Sequence, residues 1–199
     1  MALKKPNNLF ILTMKPSLLL LLLLLISACG PSEQEQAQQQ ERQMQMLQQA
    51  IETNEEFDQE MALLLDHYFD LKDALVESDA LSASEKAEGF ADATALVQYH
   101  SLTPETTTLW VGYSDVIQLR SREMIPLTDV DEQRYHFEYI SEVMIEMVDL
   151  FRPVGYEIYH QSCPMVRGGS ADWLSREEQI ANPYHGDRMM RCGEVIRRL

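Results

Sequence analysis

The chain has 199 residues, enough for one domain of ordinary size plus a tail, and a formal charge of −16. That charge excludes nucleic acid as a partner and argues against docking on anionic lipid, because both need clustered Lys and Arg. A cationic partner, a metal ion or plain solubility remains compatible with it.

Residues 1–28 read as a leader, with Met1 or Met14 as its start. Lys15 and Pro16 lead into an apolar run from Leu18 to Ile26, followed by the small residues Ser27 and Ala28. A charged region, a short apolar core and a small-residue cleavage site make a signal peptide and no part of the fold. Nine apolar residues fall far short of the roughly 20 that cross a bilayer. Without its three lysines the remainder holds 13 basic against 32 acidic side chains, a charge of −19. Ile26-Ser27-Ala28-Cys29 resembles the lipobox of bacterial lipoproteins, which implies a lipid anchor on Cys29. With Gly30 next, it implies the outer membrane, facing the periplasm.

Residues 29–52 are expected to be a tether. Nine of the seventeen residues 33–49 are glutamine, too polar a tract to bury much surface, though the lack of Gly and Pro admits helix. Residues 53–152 then predict four amphipathic helices. Thr53-x-x-Glu56 has the form of a capping box ahead of a stripe of Phe57, Met61, Leu64, Tyr68, Leu71 and Leu75. Ser82-x-x-Glu85 repeats it ahead of Ala83, Ala87, Phe90, Thr94 and Val97. Thr103-Pro104 starts a third helix carrying Leu109, Tyr113, Val116, Ile117 and Met124, which Pro126 ends. Thr128 opens the fourth, with Phe137, Ile140, Met144, Met147 and Phe151 inward and Pro153 after it. The fold class is mainly α: an antiparallel four-helix bundle with a small C-terminal α+β cap.

Residues 153–199 form that cap, in one domain with the bundle. A strand is predicted around Tyr156 to Tyr159, a turn at Gly168-Gly169 and a return strand at Asp172-Trp173-Leu174. Ser175-x-x-Glu178 predicts one helical turn, and Arg188 to Cys192 a last one. With Cys29 lipidated, Cys163 and Cys192 are the remaining thiols, exported into an oxidising compartment, so a disulfide is one expectation. The other is a soft-metal site. Cys163 and Met165 would share one side of a strand, and Met189 and Cys192 one face of a helical turn. Four such sulfurs favour a copper ion, with His160, His185 and Met190 as possible extra ligands. Ser175, His185 and Asp187 lack a nucleophile elbow, and Cys163 and Cys192 are no Cys-x-x-Cys pair, so no enzyme activity is expected.

The run Cys163-Pro164-Met165, Trp173-Leu174-Ser175, Ile180, Asn182-Pro183-Tyr184, Gly186, Met189 and Cys192-Gly193 resembles the C-terminal signature of the domain of unknown function numbered 3347. Gln133-Arg134 with Phe137 and Ser141, and Tyr68-Leu71-Lys72-Asp73-Ala74-Leu75, resemble the family's last and first helices. The resemblance spans about residues 55–195. It implies heavy-metal handling, because this domain also ends periplasmic adaptor subunits of copper and silver efflux pumps. Its implied partners are efflux-pump or other envelope proteins, alongside the membrane that the lipid would hold. The alternative is an envelope interaction domain with a Cys163–Cys192 disulfide and no metal.

Overall fold

The structure, a computed structural model, describes residues 32–199. The leader, the lipobox and Cys29 lie outside the described residues. Contacts divide the chain after Gln43. The unit from Met44 to Leu199 holds every residue of the hydrophobic core, so it has what it needs to fold alone.

Helix α1 spans Glu33–Ala50. Ser32 and Glu35 cap it reciprocally: Ser32 N–H donates to Glu35 Oε2 at 2.8 Å, and Glu35 N–H to Ser32 Oγ at 3.3 Å. The glutamine tract is therefore helical, with the side chains of residues 34–46 in solvent. Its end differs. Leu47 packs on the core beside Ile51, and Gln48 Nε2 donates to the Asp149 carbonyl at 2.8 Å.

Helices α2 (Glu55–Val76), α3 (Ala80–Leu96), α4 (Pro104–Met124) and α5 (Val130–Phe151) form the antiparallel bundle. All six stripe residues of α2 and all five inward residues of α5 are buried, as are Ala83, Ala87, Phe90, Thr94 and Val97 on and beside α3. Three caps fall elsewhere than the sequence patterns suggest. Asn54, not Thr53, accepts from Phe57 N–H; Asp79, not Ser82, caps α3; Asp129, not Thr128, caps α5. In each case it is the Asn or Asp immediately before the first helical residue whose side chain reaches the free N–H groups. Thr103 caps α4 with Pro104 behind it, as expected. The inner face of α4 is rotated from the expected one: Trp110, Ser114, Ile117, Ser121 and Met124 are buried, while Leu109, Tyr113 and Val116 are half-buried. Trp110 decides that rotation by packing edge-on against Phe57, their centroids 5.6 Å apart.

Beyond the bundle lies an antiparallel sheet of strands β1 (Tyr159–Val166), β2 (Gly169–Ser175) and β3 (Glu194–Arg198), in the order β2-β1-β3. The first strand begins three residues later than predicted, and β3 was not foreseen. No helical turn follows Ser175, whose Oγ accepts from Glu177 N–H at 3.0 Å within a bend. In place of a turn over Arg188 to Cys192 there is a single 3-10 turn at Gly186–Arg188. Trp173, Leu174, Tyr184 and Cys163 join the bundle's side chains in one continuous core.

Candidate functional site

Cys163 sits on the central strand with no exposure, and Cys192 lies half-buried just before β3. The two segments bring their Sγ atoms to 3.1 Å, unbonded. Its hydrogen bond with Cys163 and burial together push the Cys192 thiol up, so the proton is held more tightly than in an ordinary cysteine.

The methionines do not complete a four-sulfur set. Cys163 pairs with Ala171 and Val166 with Gly169, so the register slips between them and a bulge holds Pro164 and Met165. A bulge breaks the strict alternation of a strand. Met165 consequently turns outward, 54% exposed, while Cys163 points into the core. Met189 and Cys192 do not share a helical face either. Met189 has φ −150° and ψ 49°, outside the helical region, and its carbonyl merely accepts from Cys192 N–H at 3.0 Å. Met189 and Met190 are both half-buried.

The histidines are engaged elsewhere. His185 Nε2 lies 2.9 Å from the Met165 carbonyl. His160 Nδ1 must accept from Arg197 Nε–H at 3.2 Å, since a guanidinium only donates, which leaves the ring proton on Nε2 facing Asp172 Oδ2 at 2.7 Å. Among the described residues no group of three or more His, Cys, Asp or Glu could hold a metal ion. A tetrahedral ion with sulfur bonds of ~2.3 Å would hold two sulfurs about 3.8 Å apart, wider than the observed pair. The residues thus do not fit a four-sulfur copper site in this arrangement.

Comparison with known families finds a match, over residues 64–154, to the family described as protein of unknown function (DUF3347). This stretch is a DUF3347 domain. It runs from the middle of α2 to just past α5, a little under half of the chain. The matched residues stop short of the cap, so the Cys/Met run from Cys163 onward, within the wider resemblance, lies beyond them. Neither the curated proteins nor the solved structures provide a match.

The DUF3347 helices hold the cap through residues whose role the sequence did not disclose. Arg134, 2% exposed, donates to the carbonyls of Pro183 at 2.7 Å and Leu75 at 2.8 Å, to Ser78 Oγ at 2.9 Å and to Asp131 at 2.8 Å. It ties the cap to the end of α2 and the start of α5. Gly186 passes so close that an added Cβ would lie 2.9 Å from the Val76 carbonyl and 2.6 Å from Arg134 Nη2. Its φ of +56° suits glycine besides. Asn182 shapes the same loop: Oδ1 accepts from the N–H groups of Tyr184 and His185, and Nδ2 donates to the Cys192 carbonyl at 2.7 Å. Tyr184, edge-on to Trp173, donates its hydroxyl to the Asp172 carbonyl at 2.6 Å. Tyr68 meets the cap from below, its hydroxyl accepting Leu174 N–H at 3.0 Å beside Ser141 Oγ at 2.8 Å. Burial pushes both phenols well up from their usual range.

The basic residues of the cap face the acidic bundle. Arg167 pairs with Glu138, Arg176 with Asp66, Arg188 with Asp131 and Arg197 with Asp149. Arg191 and Arg198 instead bond inside the cap, to the Ile180 carbonyl and to Glu178.

Proposed function

We propose that this protein is an exported, lipid-anchored interaction domain of the bacterial cell envelope, with its cap stapled by a Cys163–Cys192 disulfide. The observation that carries this reading is the approach of the two sulfurs to 3.1 Å, with no His, Asp or Glu completing a metal-binding group among the described residues. A sulfur–sulfur bond of about 2.0 Å requires them to close by roughly 1 Å, whereas an ion would have to push them apart. The leader and lipobox support an oxidising destination, where such a pair loses two protons and two electrons to an exchanging disulfide. Catalysis has no place in this reading. Its expected partners are other envelope proteins, efflux-pump subunits among them on the strength of the family resemblance.

One observation favours a second reading, a Cu(I) ion carried between the two thiolates alone. Cys192 is half-buried, so an incoming ion could reach it from solvent. Intact mass of residues 44–199 secreted to a periplasm, with alkylation and anaerobic Cu(I), separates the two. The disulfide reading expects a mass two protons light, inert to alkylation and to copper. Two alkylatable thiols with one stoichiometric copper would overturn it in favour of the metal.

A further inference from the structure

A cavity of about 400 Å³ opens where the last turn of α5, residues 152–158 and the end of the chain meet. Its volume falls within the ~300–1,000 Å³ usual for small-ligand sites. Val148, Pro153, Val154, Ile158 and Leu199 supply an apolar wall. The charged residues that line it are Arg152, Arg197 and Arg198 against Asp149 and Glu157.

The pairing of those charges leaves a remainder. Arg197 grips Asp149 with both of its terminal nitrogens, and Arg198 bonds Glu178 at 2.9 Å and approaches Glu157. Arg152 has no acidic partner among the described residues, in a chain with twice as many acids as bases. It also holds a left-handed backbone, φ 47° and ψ 56°, at a helix C-terminus where glycine is usual. A bulky cation thus occupies a strained position in the lining of a cavity with one apolar wall.

We infer that this cavity binds a small amphiphilic monoanion, a carboxylate on an apolar body, with Arg152 holding the carboxylate. Apart from Tyr156, every lining side chain is either apolar or charged, which suits a ligand that divides into an apolar body and a charged group. Asp149 and Glu157 would repel a dianionic phosphate, while a single negative charge matches the single unpaired cation. At ~30 Å³ per water the space corresponds to about thirteen waters, hence a ligand of roughly ten to fifteen non-hydrogen atoms. The carboxylate could arrive on a free amphiphile or at the C-terminus of a peptide ending in an apolar residue.

Decanoate and N-acetyl-leucine, the latter standing for a peptide C-terminus, are each titrated into residues 44–199 and distinguish those sources. Binding is read by calorimetry and by the methyl resonances of Val148, Val154, Ile158 and Leu199. One saturable site is expected for at least one probe, and the tighter probe identifies the source. Decanol, or N-acetyl-leucine amide, should bind at least about tenfold more weakly, as expected for losing a charge-assisted bond. Arg152→Gly relieves the backbone while removing the guanidinium, so binding should fall about tenfold or more while the melting temperature holds or rises. Arg152→Lys should retain most of the affinity. No saturable binding of either probe at millimolar concentration overturns the inference. So does binding that is indifferent both to Arg152→Gly and to loss of the carboxylate.

Discussion

Individual residues of the cap serve docking first. Of the family-like positions, Tyr184 and Gly186 of the cap and Arg134 of α5 lie where the cap meets the bundle, while Asn182 shapes the cap loop and bonds the Cys192 carbonyl. Gly186→Ala should therefore destabilise the domain by about 2–4 kcal/mol, because the Val76 carbonyl is backbone and cannot yield, and because φ is positive. Urea unfolding measures it. Met165→Ala, by contrast, should change stability by less than about 0.5 kcal/mol, since the side chain stands in solvent. A four-sulfur copper site would have made that same substitution abolish metal affinity, so copper titration of the variant tests both ideas at once. The residue types at the cysteine end were readable in the sequence. Their directions were not, because one inserted residue in a strand reverses which side a neighbour faces, and nothing local in Pro164-Met165 announces it.

Helices were more legible than strands for a physical reason. A helix repeats its inward face every three to four residues, so α2 and α5 each offered five or six matches to one period. Errors in the caps were of one to three residues, because several Ser, Thr, Asp and Asn side chains compete at each start. Strand β3 offers only Glu194–Arg198, five residues of which four are exposed, and no alternation with which to recognise it. It exists because it pairs with β1, Tyr159 opposite Arg198 and Ser162 opposite Glu194, and Ile158 and Leu199 just beyond exchange both backbone bonds. Pairing across more than thirty residues is invisible to local patterns. The element-scale consequence concerns the staple. Cys163 on β1 and Cys192 before β3 enclose β2 and the whole loop that Arg134 grips. If they are bonded as proposed, reduction should cost about 3–4 kcal/mol, the loop-closure entropy of a segment of that length. The expected readout is a lower urea midpoint in the presence of a reductant, with no such shift in the Cys163→Ala/Cys192→Ala double variant.

At the scale of the molecule, an acidic bundle is joined to a cap that brings arginines to it, and the join must answer to pH. Asp131 at the start of α5 shows the sign. The Arg188 guanidinium, bonded to it at 2.9 Å, is the largest influence holding its carboxyl below the ordinary value near 3.8; burial opposes it, and Arg134 acts in the same direction as Arg188. A carboxylate whose folded pKa is depressed contributes stability that is fully present above its unfolded pKa and is lost as pH falls through the folded one. Stability should therefore decline below about pH 4 more steeply in the native chain than in Arg188→Gln, which removes the leading cause and leaves a neutral polar side chain. Asp131 is half exposed, so the difference should also shrink in about 1 M salt, where screening acts over roughly 3 Å. Urea midpoints of the two proteins from pH 6 to pH 2, at low and high salt, make the comparison. Parallel curves would mean that Arg188 contributes nothing to the join, and that the cap is held by Arg134, Tyr184 and the shared apolar core alone.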